Sequence, residues 1–536
     1  MERTMRRLQP ICLSVAITWL LMVAGGAPHG LQSGAPTRQA AGRPRPNVIF
    51  ILADDLGYGD LGSYGQTKIK TPHLDRLAAE GMRFTQFYAG SPVCAPSRCV
   101  LMTGKHGGHA YIRDNREVKP EGQWPLPASE VTIAELLKSQ GYTTGAFGKW
   151  GLGFVGTEGD PNRQGFDLFY GYNCQREAHS YYPDHLWRND QKVALERNDH
   201  GLTGKRYSHD LIEAEALQFI RDHRARPFFL YVPFTIPHLA LQVPEDSLSE
   251  YVGKWDDPPY DGSRGYLPHP HPRAAYAAMV TRMDRSVGRI LALVKELGLD
   301  DNTLVIFTSD NGGAFGTVTK DFEFLPGRAG GTDYIFFGST GKFRAFKGSV
   351  YEGGIRVPFI ARFPGRIKAG TVSDLPAVFY DVLPTLCDLA GTEPPKGADG
   401  LSLLPTLLGR GRQKKHEFLF WDFNGYGGQQ AVRLGDWKGV RRNLHRGNTR
   451  IELYHLATDV GEQHDVADKH PDIVRRIAAI MLREHTPSEV FPVKVLDDPG
   501  HRPGGDGRGD GRVSGFARLP AREADEETGA RRRLQR

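Results

Sequence analysis

The segment Asn47–Ala53 (NVIFILA) is an unbroken, largely β-branched apolar run, and it limits what the chain can fold into. A strand with one wet face alternates apolar and polar residues, whereas a strand apolar at nearly every position must be covered on both faces. Similar runs follow at 228–234 (FFLYVPF) and 303–308 (TLVIFT). Between them the spacing predicts helices over 71–80, with Pro72 suited to a first turn, over 131–140, closed by Gly141, and over the long amphipathic stretch 274–297. Buried strands alternating with helices indicate an α/β layered fold around a parallel or mixed sheet. After about residue 395 the segments shorten: 417–421, 430–434, 438–441 and 451–454 read as a small antiparallel sheet, followed by a helix over 471–484.

The two ends read differently from the middle. Residues 1–27 place Arg3, Arg6 and Arg7 before an apolar run over 11–23 and the small residues Ala24, Gly25, Gly26 and Ala27, the order of a secretory signal peptide. The run is shorter than the ~20 residues a membrane span needs. The chain is therefore expected to be exported, periplasmic or secreted, with no membrane attachment after cleavage. Residues 28–46 read as a linker, 47–395 as the main domain, 396–490 as a C-terminal α+β subdomain, and the Gly/Arg/Asp-rich residues 491–536 as a disordered tail. Of the net charge of +6, residues 1–10 carry +2 and residues 501–536 carry +3. That leaves no basic face for nucleic acid. Cys12 leaves with the signal; Cys94, Cys99, Cys174 and Cys387 form no CxxC pair and no zinc pattern, so two disulfides are open and none is forced.

Three constellations carry chemistry. Asp54-Asp55 directly follows NVIFILA, and Asp310-Asn311-Gly312-Gly313 follows the run over 303–308. Functional groups in α/β sheets collect beyond the carboxyl ends of strands. Two adjacent carboxylates with an Asp and an Asn from a second strand end make an all-oxygen cage, the chemistry of Ca²⁺ or Mg²⁺ and not of zinc. Taken alone, an Asp-Asp pair before Gly57 equally suits a turn.

The third constellation is Cys94-Ala95-Pro96-Ser97-Arg98, continuing to Leu101, Thr103 and Gly104. By itself a buried cysteine is usually a small hydrophobe. The whole string, however, resembles the sulfatase signature C-x-P-S-R followed by L-x-T-G. The resemblance extends to Lys149 in Gly148-Lys149-Trp150, His238 in Thr235-Ile236-Pro237-His238, Lys347 before Tyr351-Glu352-Gly353-Gly354-Ile355-Arg356-Val357-Pro358, and the terminal Glu452-Leu453-Tyr454-His455-Leu456 with Asp459, Gly461-Glu462 and His464.

This resemblance implies an alkaline-phosphatase-like α/β sandwich and hydrolysis of a sulfate monoester. It implies that Cys94 is oxidised to formylglycine by a dedicated maturation enzyme and joins Asp54, Asp55, Asp310 and Asn311 around a calcium or magnesium ion. One hydroxyl of the hydrated aldehyde then attacks sulfur, and the second expels sulfate and restores the aldehyde. Arg98, Lys149 and Lys347 are expected to stabilise the charge that accumulates, and His238 to donate a proton to the departing alcohol. Export and the polar 170–190 stretch favour a sulfated carbohydrate, with an aryl sulfate as the alternative. The rival readings are a phosphodiesterase or phosphonate hydrolase of the same fold and a non-catalytic binder of sulfated glycans.

One position departs from the pattern. Many sulfatases read G-K-W-H-L-G, with a histidine that touches a formylglycine hydroxyl; here Gly151 replaces it. The favoured reading is that the glycine clears space for substrate. His179, in a Tyr-rich stretch over 170–183, is the leading candidate for a substitute base or a substrate contact, against the equal alternative of a tyrosine-packed surface loop.

Overall fold

The computed structural model describes residues 45–498, apart from 315, 321 and 326, so the expected signal peptide, most of the linker and the chain from 499 lie outside the described residues. The main sheet has ten strands: β1 (Asn47–Ala53), β2 (Met82–Phe84), β3 (Thr143–Lys149), β4 (Leu168–Tyr172), β5 (His185–Arg188), β6 (Gln191–Ala194), β7 (Phe228–Pro233), β8 (Thr303–Ser309), β9 (Phe359–Arg362) and β10 (Thr371–Ser373). Their order across the sheet is β10-β2-β9-β8-β1-β7-β3-β4-β5-β6. The central strands β8, β1, β7, β3 and β4 run parallel. Antiparallel partners flank them, β9 beside β8 and β5 beside β4.

All seven residues of β1 are buried. The physical reason is the pleat: Val48, Phe50 and Leu52 enter one apolar core, and Ile49, Ile51 and Ala53 enter another on the opposite face. Helices cover both faces: α1 (Pro72–Glu80), α2 (Cys94–Thr103), α3 (Ile133–Ser139), α4 (Ser208–His223), α5 (Pro272–Glu296) and α6 (Val382–Ala390). The first core takes α2, α3 and α6, the second α1, α4 and α5. Each large apolar side chain so buried contributes about 1.5–3 kcal/mol. Helix α3 starts at 133, two residues later than its periodicity suggests. Thr132 closes a capping box in which its hydroxyl accepts from Glu135 N at 3.3 Å and its own N–H donates to Glu135 Oε2 at 2.8 Å.

The C-terminal strands β11 (Leu419–Phe423), β12 (Gln429–Leu434), β13 (Trp437–Arg442) and β14 (Glu452–His455) form a four-stranded antiparallel sheet. Phe420, Val432 and Leu453 on one face pack against Ile477, Ile480 and Met481 of α7 (Pro471–Arg483). Trp421, Ala431 and Val440 on the other face join the large core. A fully buried ion cluster ties this sheet to the main body: Lys438 Nζ lies 2.8 Å from Glu352 Oε1 and 2.9 Å from Glu462 Oε1, and Arg356 Nη1 lies 3.0 Å from Glu352 Oε2. Two sequence motifs more than a hundred residues apart, Glu352-Gly-Gly-Ile-Arg356 and Gly461-Glu462, are thus halves of one joint.

Residues 491–498, expected to belong to the disordered tail, are anchored instead. Phe491 and Val493 are buried, Lys494–Asp497 is a short helix, and His485 Nε2 meets Asp497 Oδ1 at 2.8 Å. Two apolar anchors hold this stretch, and the polar composition around them masks the signal. Cys94, Cys99, Cys174 and Cys387 are buried free thiols, so no disulfide forms among the described residues. No helix among the described residues is long and apolar enough to cross a membrane.

Candidate active site

The parallel strands deliver their carboxyl ends to one edge of the sheet. Asp54 and Asp55 follow β1, Asp310 and Asn311 follow β8, Lys149 ends β3, and His238 lies shortly beyond β7. Successive residues of an extended strand point to opposite faces. Asp55 escapes that alternation by adopting φ 64°, a left-handed conformation that Asp tolerates, and both carboxylates serve the same site. Backbone bonds fix the strand ends together: Asp54 N donates to Ile236 O at 3.1 Å, and Asp310 N donates to Ala53 O at 3.0 Å.

Cys94 is the first residue of α2. Pro96 fits because the first-turn N–H groups have no intrahelical acceptor to lose. Val93 offers no side-chain cap, and Asn115 supplies one from a separate loop, its Oδ1 accepting from Ala95 N at 3.0 Å. Arg98, one turn later, lies on the same helix face as Cys94. Around Cys94 Sγ, Lys149 Nζ lies at 3.4 Å, Lys347 Nζ at 3.5 Å and Asp54 Oδ1 at 3.5 Å. Arg98 spans the acids: Nη2 is 2.9 Å from Asp310 Oδ2 and 3.4 Å from Asp54 Oδ2, while Nη1 donates to Lys149 O. Lys149 Nζ pairs with Asp54 Oδ2 at 2.5 Å and Lys347 Nζ with Asp55 Oδ2 at 2.7 Å. All nine residues put forward as catalytic or metal-binding from the sequence therefore meet in one buried cluster.

Its electrostatics are strained in a particular way. Burial opposes the charge of Asp54, but Lys149, His238, Arg98 and Lys347 outweigh it and hold its carboxyl well below the usual range. Asp55 and Asp310 go the other way, Asp310 up to about 6, because burial and the neighbouring acids disfavour more charge. Burial, followed by Asp54, pushes the Cys94 thiol up to about 12 despite the two lysines. An unmodified Cys94 is thus a protonated, weakly nucleophilic thiol.

A hard divalent cation fits this donor set. Asp54, Asp55 and Asp310 supply carboxylate oxygens, and Asn311 Oδ1 is a buried acceptor without a hydrogen-bond partner. The Asn311 amide nitrogen is fully engaged, donating to Asp55 Oδ1 at 2.7 Å and Gly312 O at 2.8 Å, which leaves the oxygen as the unpaired atom of that amide. Asp54, Asp55, Cys94 and His238 also place one ligand atom each within 4.8 Å of one another.

His238 donates from Nδ1 to Leu239 O at 2.6 Å, which leaves Nε2, 3.5 Å from Asp55 Oδ2, to face the site. Burial and the nearby lysines hold its pKa well below the ordinary value. His179 stacks on His238, ring centroids 4.7 Å apart, with Tyr266 packed beside both. The stretch over 170–183 is not a surface loop: Tyr172, Asn173, Gln175, Tyr181 and Tyr182 are buried.

The expectation that Gly151 opens space for substrate is corrected by the structure. A Cβ at Gly151, where φ is 79°, would stand 2.3 Å from Gln175 Nε2. That space holds the Gln175 amide. The sequence offered no motif for this residue; the only signal was its place in the polar stretch after β4.

The sequence profile of the sulfatase family matches residues 46–392, and that of the N-sulphoglucosamine sulphohydrolase C-terminal domain matches residues 341–484. The chain is 33% identical to N-acetylgalactosamine-6-sulfatase of Mus musculus, over 84% of this chain and 88% of that protein. It is 32% identical to arylsulfatase A of Homo sapiens, over 85% of this chain and 91% of that protein. Among solved structures it resembles Ps i-CgsB in complex with k-i-k-neocarrahexaose, at TM-score 0.67 and 28% identity, covering 82% of this chain and 92% of that one.

Proposed function

The chain belongs to the sulfatase family, the sulfuric ester hydrolases, and from that premise we propose that it cleaves sulfate monoesters on carbohydrates through an oxidised Cys94 beside a divalent cation. The observation that carries this reading is the pair of lysines at 3.4 and 3.5 Å from Cys94 Sγ, set among the acids Asp54, Asp55 and Asp310. A thiol pushed up to about 12 has little use for two cations and three acids.

Asp54, Asp55, Asp310 and Asn311 would hold the cation, with oxidised Cys94 beside it. When bound, the ion supplies Lewis acidity and the hydrated formylglycine supplies a hydroxyl nucleophile. The chain's own residues do the rest. Lys149 and Lys347 flank residue 94 and offset the negative charge of a sulfate group placed there. Arg98 holds Asp54 and Asp310 in register, and the site is dry enough for each charge to act strongly. His238, neutral with its lowered pKa, would accept at Nε2 the proton that the attacking hydroxyl loses and pass it to the leaving oxygen, its orientation fixed by the Nδ1 bond to Leu239. The stacked His179 and Tyr266 extend from His238 and offer flat faces and polar edges suited to a sugar ring; the two named relatives act on N-acetylgalactosamine 6-sulfate and aryl sulfates. Export by the signal peptide over 1–27, calcium in preference to magnesium, and a separate maturation enzyme for Cys94 complete the reading.

The test is the mass of the peptide spanning Cys94 in protein from its native host, together with turnover of sulfate and phosphate esters of matched leaving groups. Formylglycine with preferential sulfate release is the expected result. A plain thiol in active-host material refutes the mechanism, and a preference for phosphodiesters or phosphonates moves the chain to the rival chemistry.

A further inference from the structure

Two buried primary amides beside the site have no hydrogen-bond partner. Gln175 is 8% exposed and Asn173 1%, and in both residues the amide nitrogen and the amide oxygen are buried and unpaired among the described residues. Burying a polar group unpaired is costly, so four such atoms in one short segment mark a place where a partner is missing. They sit just past the end of β4, where Tyr172 lies opposite Lys149, and Trp150 N donates to Tyr172 O at 2.9 Å. The Gln175 amide fills the position where a side chain at 151 would begin, and that same point is 3.9 Å from Arg98 Cδ. Gln175 thus lies beside Gly151, two residues after Lys149, and near the shaft of Arg98, and Lys149 and Arg98 both contact the acids around Cys94.

We propose that Gln175 is a positioning residue of the active site, its amide holding one hydroxyl of the hydrated, oxidised form of Cys94 in the space that Gly151 leaves open. This rests on the reading of Cys94 given above. The charged groups at Cys94 Sγ are already in place for one oxygen: Lys149 and Lys347 as donors, Asp54 as an acceptor. A geminal diol has a second oxygen, which is donor and acceptor together. A primary amide is the neutral complement of such a group, offering both an N–H and a C=O without altering the charge of the cluster. The amide atoms are closed to solvent, so their partner comes from inside the protein. Residue 94, one helical turn from Arg98 on the same face of α2, is the group nearby that gains a hydroxyl when it is oxidised and hydrated; a trapped water is the competing occupant. A side chain at 151 would be strained by the left-handed φ of 79° and would push the Gln175 amide, 2.3 Å from its Cβ, out of that position.

The experiment uses full-length, host-matured enzyme grown with [β-¹³C]cysteine, comparing wild type with Gln175→Met and Gln175→Ala. Gln175→Met keeps the volume and removes the hydrogen bonds, so it separates bonding from packing. The ¹³C resonance of residue 94 distinguishes thiol, aldehyde and diol directly. The proposal expects mostly diol in wild type and a shift of the diol-to-aldehyde ratio by about three- to tenfold toward aldehyde in both variants, the worth of one neutral hydrogen bond. It also expects kcat lower by about tenfold with KM within about twofold, as for an interaction absent from ground-state binding. An unchanged ratio and unchanged kcat in Gln175→Met, with only the melting temperature moved, overturns it and assigns the amide to a trapped water. A wild-type signal from thiol alone overturns the reading of Cys94 itself, a different and recognisable failure.

Discussion

The charges around Cys94 and those around Glu352 are equally deep: the side chains of Asp54, Asp310, Arg98 and Lys149 are as closed to solvent as those of Glu352, Lys438 and Glu462. Their completeness differs. At the joint, Glu352 meets Lys438 with one oxygen and Tyr88 and Arg356 with the other, while Glu462 accepts from the Glu352 backbone N–H with Oε2 and leaves one atom, Oε1, without a hydrogen bond but 2.9 Å from Lys438 as an ion pair. At the site, acids face one another, Asn311 Oδ1 has no partner, and the neighbouring amides of Asn173 and Gln175 are bare. Buried charge by itself therefore says little about function. What marks the functional cluster is the bonding it leaves unfinished, which the joint has spent on holding two sheets together.

That contrast can be broken by experiment. Cys94→Ala should remove sulfatase turnover to background, a loss of about 10³-fold or more, while the melting temperature stays near wild type; a large loss of stability would instead make Cys94 part of the scaffold. At the joint, Lys438→Met leaves Glu352 and Glu462 buried with one fewer cation and should cost about 3–5 kcal/mol of stability in denaturant titration. Activity per folded molecule should be unchanged. If turnover fell with stability intact, the two clusters would be coupled after all.

Metal removal should touch only one cluster. Chelation is expected to abolish turnover and lower stability by about 2.7 kcal/mol relative to protein held at a hundredfold excess of ion over its dissociation constant. Asp54→Asn should erase that ion-dependent stabilisation, read as the shift in melting temperature on adding calcium, whereas Lys438→Met should retain it.

The smallest effect expected is in the acid range. Burial opposes the charge of Glu352, but Lys438, Arg356 and Arg433 outweigh it and hold the carboxyl down to about 2, against 4.5 ordinarily. A carboxyl lowered on folding stabilises fully above its unfolded value, so this contribution is present above 4.5 and lost as pH falls toward 2. The unfolding midpoint of wild type should therefore drop more steeply over that interval than that of Glu352→Gln. Parallel curves would mean that the joint's cations are not what holds Glu352 ionised.

Much of this was legible in the chain, for reasons that can be named. Strand β1 was readable because both faces are buried and the run has no polar break. Asp54-Asp55 and Asp310-Asn311 were readable because they stop such runs, and a stopped run in a parallel sheet ends at the site. Strand β2, with three residues, is too short to show a period, and the order of strands across the sheet depends on pairings no local pattern carries. Lys438 reads only as one residue of a short strand, since its meaning lies in Glu352 and Glu462. Gln175 was invisible for the same reason: its role is set by an absence at Gly151, on a neighbouring strand end.

The placement of Cys94 also sets an order of events in time. Its side chain is about as hidden as any in the molecule, 1% exposed at the start of a helix whose every residue is buried. An oxidising enzyme cannot seat its catalytic groups around an atom so enclosed. Meanwhile β1 finds its partner β8 only after the intervening chain has been made, because those strands pair residue 47 with residue 303. There is consequently an interval, between emergence of the cysteine and closure of the central sheet, in which the thiol is reachable and after which it is not. If Cys94 is converted as proposed, the conversion has to be completed within that window, and the slow, long-range step of folding sets its deadline.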